Sequence, residues 1–160
     1  MTEAFEKAKK ALSVKNVSLR ESFVTLDEEL DISNLENIKS EIQTFRGVNK
    51  VKEVSLLKDE IESFEYHFFY SCGIRLLNEE TSENAESEDD NSNVLVEIRA
   101  TFDAKYSADE KVEQELLEAF SDENVGYHVW PYWRELVQSS CSRFNIAPLE
   151  TPMYYCKPAK

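Results

Sequence analysis

The sequence predicts an α+β fold in which helices pack on one face of a four-stranded antiparallel sheet. Two stretches, 64–76 and 94–106, alternate apolar and polar residues, which is typical of strands with one packed face and one wet face. The period then changes, because apolar residues between Trp130 and Phe144 recur at spacings of three and four. Strands followed by helices are typical of α+β proteins, whose helices form a layer on one side of the sheet.

The composition indicates one soluble domain over residues 1–160. A chain of this length with 41% hydrophobic residues can build one core. Its net charge of −14 argues against nucleic acid and anionic membranes as partners, because both would repel it. Three cysteines without close pairs indicate free thiols in a reducing compartment. Without a secretory signal or an apolar run of ~20 residues, we expect a cytoplasmic protein without membrane insertion.

The beginning of the chain predicts a polar segment and then a strand. We expect residues 1–10 to be flexible. Residues 11–24 alternate as a strand that places Val17, Leu19 and Phe23 on one face. Apolar residues of the opposite parity near its start indicate a bulge.

Residues 27–47 predict a helix, because apolar residues recur there at spacings of three or four. This apolar row consists of Ile32, Leu35, Ile38, Ile42 and Phe45. Ser33 and Glu36 form a capping-box pair, and Gly47 can end the helix. A short strand is predicted at 50–57.

The two clear strands, 64–76 and 94–106, are separated by an acidic stretch. Residues 78–93 contain seven acidic residues and no basic one, which predicts a disordered hairpin loop. An acidic interaction tail is the alternative for this stretch. Ser107 and Glu110 then form a second capping box before a short helix. The apolar side of that helix consists of Val112, Leu116 and Phe120.

The last predicted helix carries a tryptophan stripe on one face. The stripe consists of Trp130, Trp133, Val137 and Cys141, followed by Phe144. Each tryptophan can bury roughly 150–250 Å², so the stripe must meet an apolar surface in the core or on another subunit. Asn145 and Pro148 end the helix. Pro131 lies either in the first turn or inside a kinked helix that began near Asn124.

The sequence offers few residues for catalysis or metal binding. His67 and His128 are the only histidines, and no nucleophile elbow, HExxH motif or phosphate-binding loop occurs. An enzyme that uses Cys141, Cys156 and His128 with zinc or as a thiol site is one alternative, but no CxxC pair supports it. We therefore expect neither an enzyme nor a cofactor.

The tryptophan helix and the residues after it resemble SecB, the cytoplasmic chaperone of bacterial protein export. The resemblance rests on WPYWRELV at 130–137, Ser-Arg-Phe at 142–144 and Ala-Pro-Leu at 147–149. In that family an aromatic-Pro-Tyr-x-Arg-Glu run precedes a Ser-Arg turn and a Pro-rich apolar tail. The similarity runs over roughly 11–155. It implies a four-stranded antiparallel sheet and a homotetramer built as a dimer of dimers.

The resemblance also implies a contact with the export ATPase SecA. Leu95 and Glu97 match the family's Leu-x-Glu element of that contact. Asn16 and Arg20 stand where export SecB proteins carry acids that bind the zinc-bearing tail of SecA. Arg20 places a positive charge where that basic tail would dock.

The client groove of the family lies between the connection after the first strand and the helical segments. In this chain the connection is 27–47, and its apolar row is the candidate client-binding surface. The family has a second helix after the Pro-rich tail, whereas this sequence ends at Lys160. We therefore expect the groove to be closed in a different way.

The sequence thus predicts an ATP-independent holdase in protein export that binds unfolded or partly folded polypeptides. Its acidic surface would favour basic client segments. The alternative within the family is a chaperone dedicated to one partner, such as an antitoxin, and not coupled to SecA.

Overall fold

The computed structural model describes residues 2–82 and 91–154, and within them four strands form one antiparallel sheet in the order β1-β4-β3-β2. The strands are β1 (Ser13–Leu26), β2 (Ser40–Lys58), β3 (Ile61–Asn78) and β4 (Val94–Ala108). The helices are α1 (Glu3–Ala11), α2 (Glu79–Ser82), α3 (Gln114–Phe120) and α4 (Gly126–Phe144). The predicted α+β class and the four-stranded antiparallel sheet are confirmed.

β3 and β4 form the centre of the sheet, and their side chains alternate as the sequence predicts. The alternate residues buried beneath the helices are Tyr66, Phe68, Tyr70, Cys72 and Ile74 on β3, and Val96, Ile98, Ala100, Phe102, Ala104 and Tyr106 on β4. We name this side the helix face and the opposite side the outer face. Because paired residues in an antiparallel ladder point to the same side, the register assigns strand residues to a face.

α4 provides the largest part of the helical layer. A π-helical segment, Ser121–Val125, connects it to α3. The stripe residues Trp130, Trp133, Val137 and Cys141 are all buried within this single chain. Of the two surfaces that the stripe could meet, the core or another subunit, the structure has the core of the same chain. Pro131 lies inside α4, so its placement in a first turn is wrong, and Asn145 ends the helix in the left-handed conformation with φ 58°.

The helix predicted for residues 27–47 is wrong. The structure has a short 3₁₀-helix, Ile32–Asn37, and then β2. Asp31, not Ser33, caps the 3₁₀-helix, because its carboxylate accepts the Ser33 N–H at 3.0 Å. β2 pairs with β3 along its whole length, and it includes the short strand predicted at 50–57. Such long pairing outweighs the helical spacing of a few apolar residues.

Two further boundaries differ from the sequence-based expectation. Residues 1–10, expected to be flexible, contain most of α1, whose Phe5 and Ala8 are buried. These two apolar positions share one helix face, and their burial holds the segment in place. The capping box predicted at Ser107 is also wrong, because Ser107 lies within β4. α3 begins after Glu113, whose side chain does not cap the helix.

Half of the acidic stretch 78–93 lies outside the described residues, because 83–90 are not among them. Before and after that gap the structure has α2 and a short 3₁₀-helix, Asn91–Asn93. In the part of the chain that the structure describes, no helix is long and apolar enough to cross a membrane.

Candidate functional site

The helices cover the centre of the sheet but leave apolar side chains of β1 uncovered on the same face. Val14, Leu19 and Val24 are 47%, 47% and 39% exposed. Their partners on β4 are Tyr106, Phe102 and Ile98, which are all buried. We name Val14, Leu19 and Val24 the β1 strip. A row of apolar side chains that continues the core onto an uncovered edge is a candidate binding surface for another polypeptide.

The bulges of β1 decide which residues belong to the strip. The register shifts between Leu19 and Glu21. After this shift, each residue of β1 points to the face opposite to the one that strict alternation predicts. Phe23 therefore lies on the outer face, where it is paired with Arg99. The predicted shared face of Val17, Leu19 and Phe23 is wrong for Phe23, although the sequence did indicate a bulge.

Phe23 and Phe45 project from the two edge strands onto the outer face, and each is about half exposed. The Arg99 guanidinium lies over the Phe23 ring, 4.6 Å from its centroid. The Phe45 ring lies directly over Gly73, where a Cβ atom would be only 2.0 Å from it. Between the two rings lie adjoining cavities of about 290 and 330 Å³, which share Phe45 and Arg99 in their walls. We name them the outer cleft.

The two residues assigned to a SecA-type contact differ in accessibility. Leu95 is buried, at 6% exposure, so it offers little surface to a partner. Glu97 lies on the outer face and is bound to Arg99, with 2.5 Å between Oε1 and Nε. Asn16 pairs with Lys105, which lies eight residues from Glu97 along β4. At ~3.4 Å per residue, Asn16 and Glu97 are therefore roughly 27 Å apart along the sheet. The structure therefore does not bring the elements of the contact together, and their role stays a prediction.

The predicted client row of five residues does not form one surface. Leu35 and Ile38 are partly buried against the core. Ile32, in the 3₁₀-helix, is 36% exposed. Ile42 and Phe45 are both exposed but lie on opposite faces of β2, since Ile42 pairs with a helix-face residue and Phe45 pairs with Gly73. Binding of clients by these residues stays a prediction for each residue separately.

The residues after α4 fold back over its beginning. The Trp130 indole Nε1 donates a hydrogen bond to the Pro152 carbonyl at 2.9 Å. The Tyr154 ring packs on Trp130, with 5.6 Å between centroids. Arg46 of β2 lies 5.1 Å from the Trp130 ring and 4.6 Å from the Tyr154 ring. Gly126 leaves the space for this contact, because a Cβ there would be 2.5 Å from atoms of Tyr154.

The two histidines lie on opposite sides of the sheet and have different partners. His67 pairs with Asp103 on the outer face at 2.9 Å, and the Tyr106 hydroxyl contacts His128 Nδ1 at 2.9 Å. Burial lowers the pKa of His128 and raises the pKa of the Cys72 thiol to about 12. Among the described residues, no group of three possible metal ligands occurs. Cys156, one of the residues of the zinc alternative, lies outside them.

Sequence reasoning did not identify the β1 strip or the contact between Tyr154 and Arg46. The alternation of β1 contains the apolar residues of the strip, but an alternating strand looks the same at the centre and at an edge of a sheet. Only the strand order shows that the helices do not reach these side chains. Arg46 carried no signal, because a basic residue on a strand is ordinarily solvated.

Comparison with known proteins gives a likeness in structure only. No protein-family model and no curated protein sequence matches the chain. Among solved structures, the chain is similar to the Rv1957 SecB-like chaperone of Mycobacterium tuberculosis, solved in complex with a ChAD peptide from the HigA1 antitoxin. The two are 13% identical, with a TM-score of 0.63, over 99% of this chain and 100% of the other. The chain therefore has the fold of a SecB-like chaperone.

Proposed function

We propose that this protein is an ATP-independent holdase that binds unfolded or partly folded polypeptides. The observation that carries the proposal is the β1 strip, three large apolar side chains that remain uncovered beside a fully packed core. A polypeptide with exposed apolar residues would cover them and would be kept from aggregating with other copies. The fold shared with a chaperone that was solved with a bound antitoxin peptide supports this proposal.

The size of the strip indicates how binding would work. Full burial of a valine or leucine side chain contributes roughly 1.5–3 kcal/mol. The three side chains are about half exposed, so covering them would contribute roughly 2–4 kcal/mol in total. That corresponds to a dissociation constant of roughly 1–30 mM. One subunit would therefore hold a client weakly, and useful affinity requires several strips that engage one chain at the same time.

The need for several strips agrees with a homotetramer, which the resemblance to SecB implies. In an assembly a client could contact neighbouring subunits in turn, and each further contact would be intramolecular. We expect a cytoplasmic protein.

A chaperone dedicated to one partner is the second candidate. The solved chaperone of the same fold holds a peptide of an antitoxin, which favours this alternative. The burial of Leu95 and the pairing of Glu97 with Arg99 leave little of the expected SecA contact accessible. Titration with the SecA tail separates the two: an export factor should bind it with salt-sensitive affinity that Glu97→Lys abolishes.

The holdase proposal is tested by light scattering of an aggregating unfolded client with stoichiometric amounts of the protein. We expect suppression of scattering by the natural protein and a clear loss of suppression in the Leu19→Glu/Val24→Glu variant. The matched control is Ser13→Glu, which adds a charge to the outer face of the same strand opposite the neutral Ser107. Sedimentation of each variant shows whether the strip acts through subunit assembly. Absence of any suppression by the natural protein would refute the proposal.

A further inference from the structure

β2 lies at one edge of the sheet, and among the described residues its one neighbouring strand is β3. It is 19 residues long, the longest of the four strands described. Within the described residues no backbone hydrogen bond reaches its free side. An exposed row of unpaired N–H and C=O groups can accept an additional strand from another polypeptide.

β2 is basic in an otherwise acidic protein. Its residues include four basic and two acidic side chains, a net charge of +2, so the other residues of the chain carry −16. The basic ones are Arg46, Lys50, Lys52 and Lys58. Of the two acidic ones, Glu53 is already paired with Lys111 at 3.0 Å. In the described ranges, none of the four basic side chains forms an ion pair.

Exposed apolar side chains accompany these charges. Ile42 is 41% exposed on the helix face, and Phe45 is 52% exposed on the outer face. Lys50 and Lys52 also point to the outer face, because they pair with Phe69 and His67. A strand added along this edge would therefore meet Lys50 and Lys52, with Phe45, on the outer face, and it would meet Ile42 on the helix face.

Lysines on an edge strand also have a protective role, since they discourage pairing with apolar segments. Whether the lysines prevent or favour pairing depends on the charge of the partner strand. An added basic strand would be repelled by the lysine charges, and an added apolar strand would remove those charges from water. An acidic strand, in contrast, gains charge pairs with the lysines. The charge of β2 therefore selects among partners instead of excluding all of them.

We propose that the free edge of β2 binds an extended client segment that alternates acidic and apolar residues, by addition of that segment as a fifth strand. This inference rests on the proposed function and specifies the client chemistry. It differs from the expectation that the acidic surface as a whole selects basic segments. The acidic side chains of the segment point to the outer face and pair with Lys50 and Lys52, and its apolar side chains point to the helix face and pack beside Ile42.

The test uses the full chain and a synthetic peptide in which Glu alternates with Val and Phe, labelled for fluorescence anisotropy. We expect binding that weakens as salt increases. The Lys50→Glu/Lys52→Glu variant should weaken it about tenfold, as expected for the loss and reversal of two exposed charge pairs. A counterpart peptide with Pro at its central position should also bind less, because proline cannot complete the ladder.

The matched control is Lys15→Glu/Arg20→Glu, which reverses two exposed charges on β1, the other edge strand. This variant should change the affinity by less than about twofold. The inference is overturned if a peptide with Lys in place of Glu binds as tightly, or if the β1 and β2 variants weaken binding equally. If scattering is suppressed but the acidic peptide does not bind, the inference fails and the holdase proposal stands. If the peptide binds at β2 without suppression of aggregation, the holdase proposal fails and the edge assignment stands.

Discussion

The replacement Gly126→Ala tests whether the contact of the C-terminal residues with α4 contributes to stability. Gly126 has φ −60° and ψ −34°, which are ordinary helical values, so its backbone does not require glycine. On helix propensity alone, alanine would stabilise the helix by about 1 kcal/mol. The surroundings oppose this, because the added Cβ would be 2.5 Å from the Tyr154 and Tyr70 hydroxyl oxygens.

The cost follows from which of the two tyrosines moves. Tyr70 is buried in the central strand β3, and its hydroxyl hydrogen-bonds to Tyr154 in the segment after α4, so Tyr154 is the side chain that moves. Its departure removes a ring contact with Trp130, worth about 0.5–1.5 kcal/mol, and a cation–π contact with Arg46, worth about 0.5–1 kcal/mol. Loss of the Trp130–Pro152 hydrogen bond adds about 0.5–1.5 kcal/mol. After the gain in propensity, the net destabilisation is about 0.5–3 kcal/mol.

Urea unfolding of the variant, followed by far-UV circular dichroism, measures this change in the free energy of unfolding. Trp130 is buried at 7% exposure, so its fluorescence emission should shift to longer wavelength once Tyr154 leaves. The matched control is Gly47→Ala on β2, where a Cβ would have nothing within 4 Å. The control should lie within about 0.5 kcal/mol of the natural protein.

One result would refute this reasoning. If Gly126→Ala is as stable as the natural protein or more so, and its emission is unchanged, the contact of Tyr154 with α4 contributes nothing measurable. A Tyr154→Ala background provides a second check, because the cost of Gly126→Ala should shrink there if the two residues act through the same contact.

Three further predictions concern side chains that are buried or half-buried. Trp133→Ala should destabilise the fold by about 3–5 kcal/mol in urea unfolding, because Trp133 is 2% exposed and its truncation removes a large side chain from the core. Burial raises the pKa of Cys72 to about 12, so this thiol stays protonated at pH 8, and mass spectrometry should find it unalkylated by iodoacetamide until the protein unfolds. Burial lowers the pKa of His128 below the unfolded value of about 6.5, so its contribution to stability is complete above that pH and is lost as the pH falls towards the folded pKa. His128→Gln should therefore reduce the fall in the free energy of unfolding between pH 7 and pH 5, and an unchanged fall would contradict the assignment.

The accuracy of sequence-based prediction along this chain follows the position of each strand in the sheet. The strands predicted at 64–76 and 94–106 are the two central strands, each with one face buried under helices. Burial on one side alone requires strict alternation, and strict alternation is what a sequence shows. β2 lies at an edge, and its side chains are exposed on both faces, so no strict alternation is required there. The spacing of Ile42 and Phe45, which is compatible with a helix, therefore led to the wrong prediction of a helix in this segment.

The tryptophan stripe shows the same limit for binding surfaces. Its spacing predicted a helix with one apolar face, and the structure has that helix. Whether the stripe meets the core or a partner depends on the area of sheet available to it, which is a property of the assembled fold. The sheet and Tyr154 cover the stripe, and the uncovered apolar surface lies on β1 instead.

By itself the sequence determined the α+β class, the two central strands and the tryptophan helix, because each depends on the periodicity of side chains along one segment. Only the tertiary structure decided that β1 and β2 are edge strands, that a bulge sends Phe23 to the outer face, and that Gly126 admits Tyr154. These features depend on which segments become neighbours, and that is set by the packing of the whole chain. The exposure of side chains, on which the binding proposals rest, is likewise decided only by the tertiary structure.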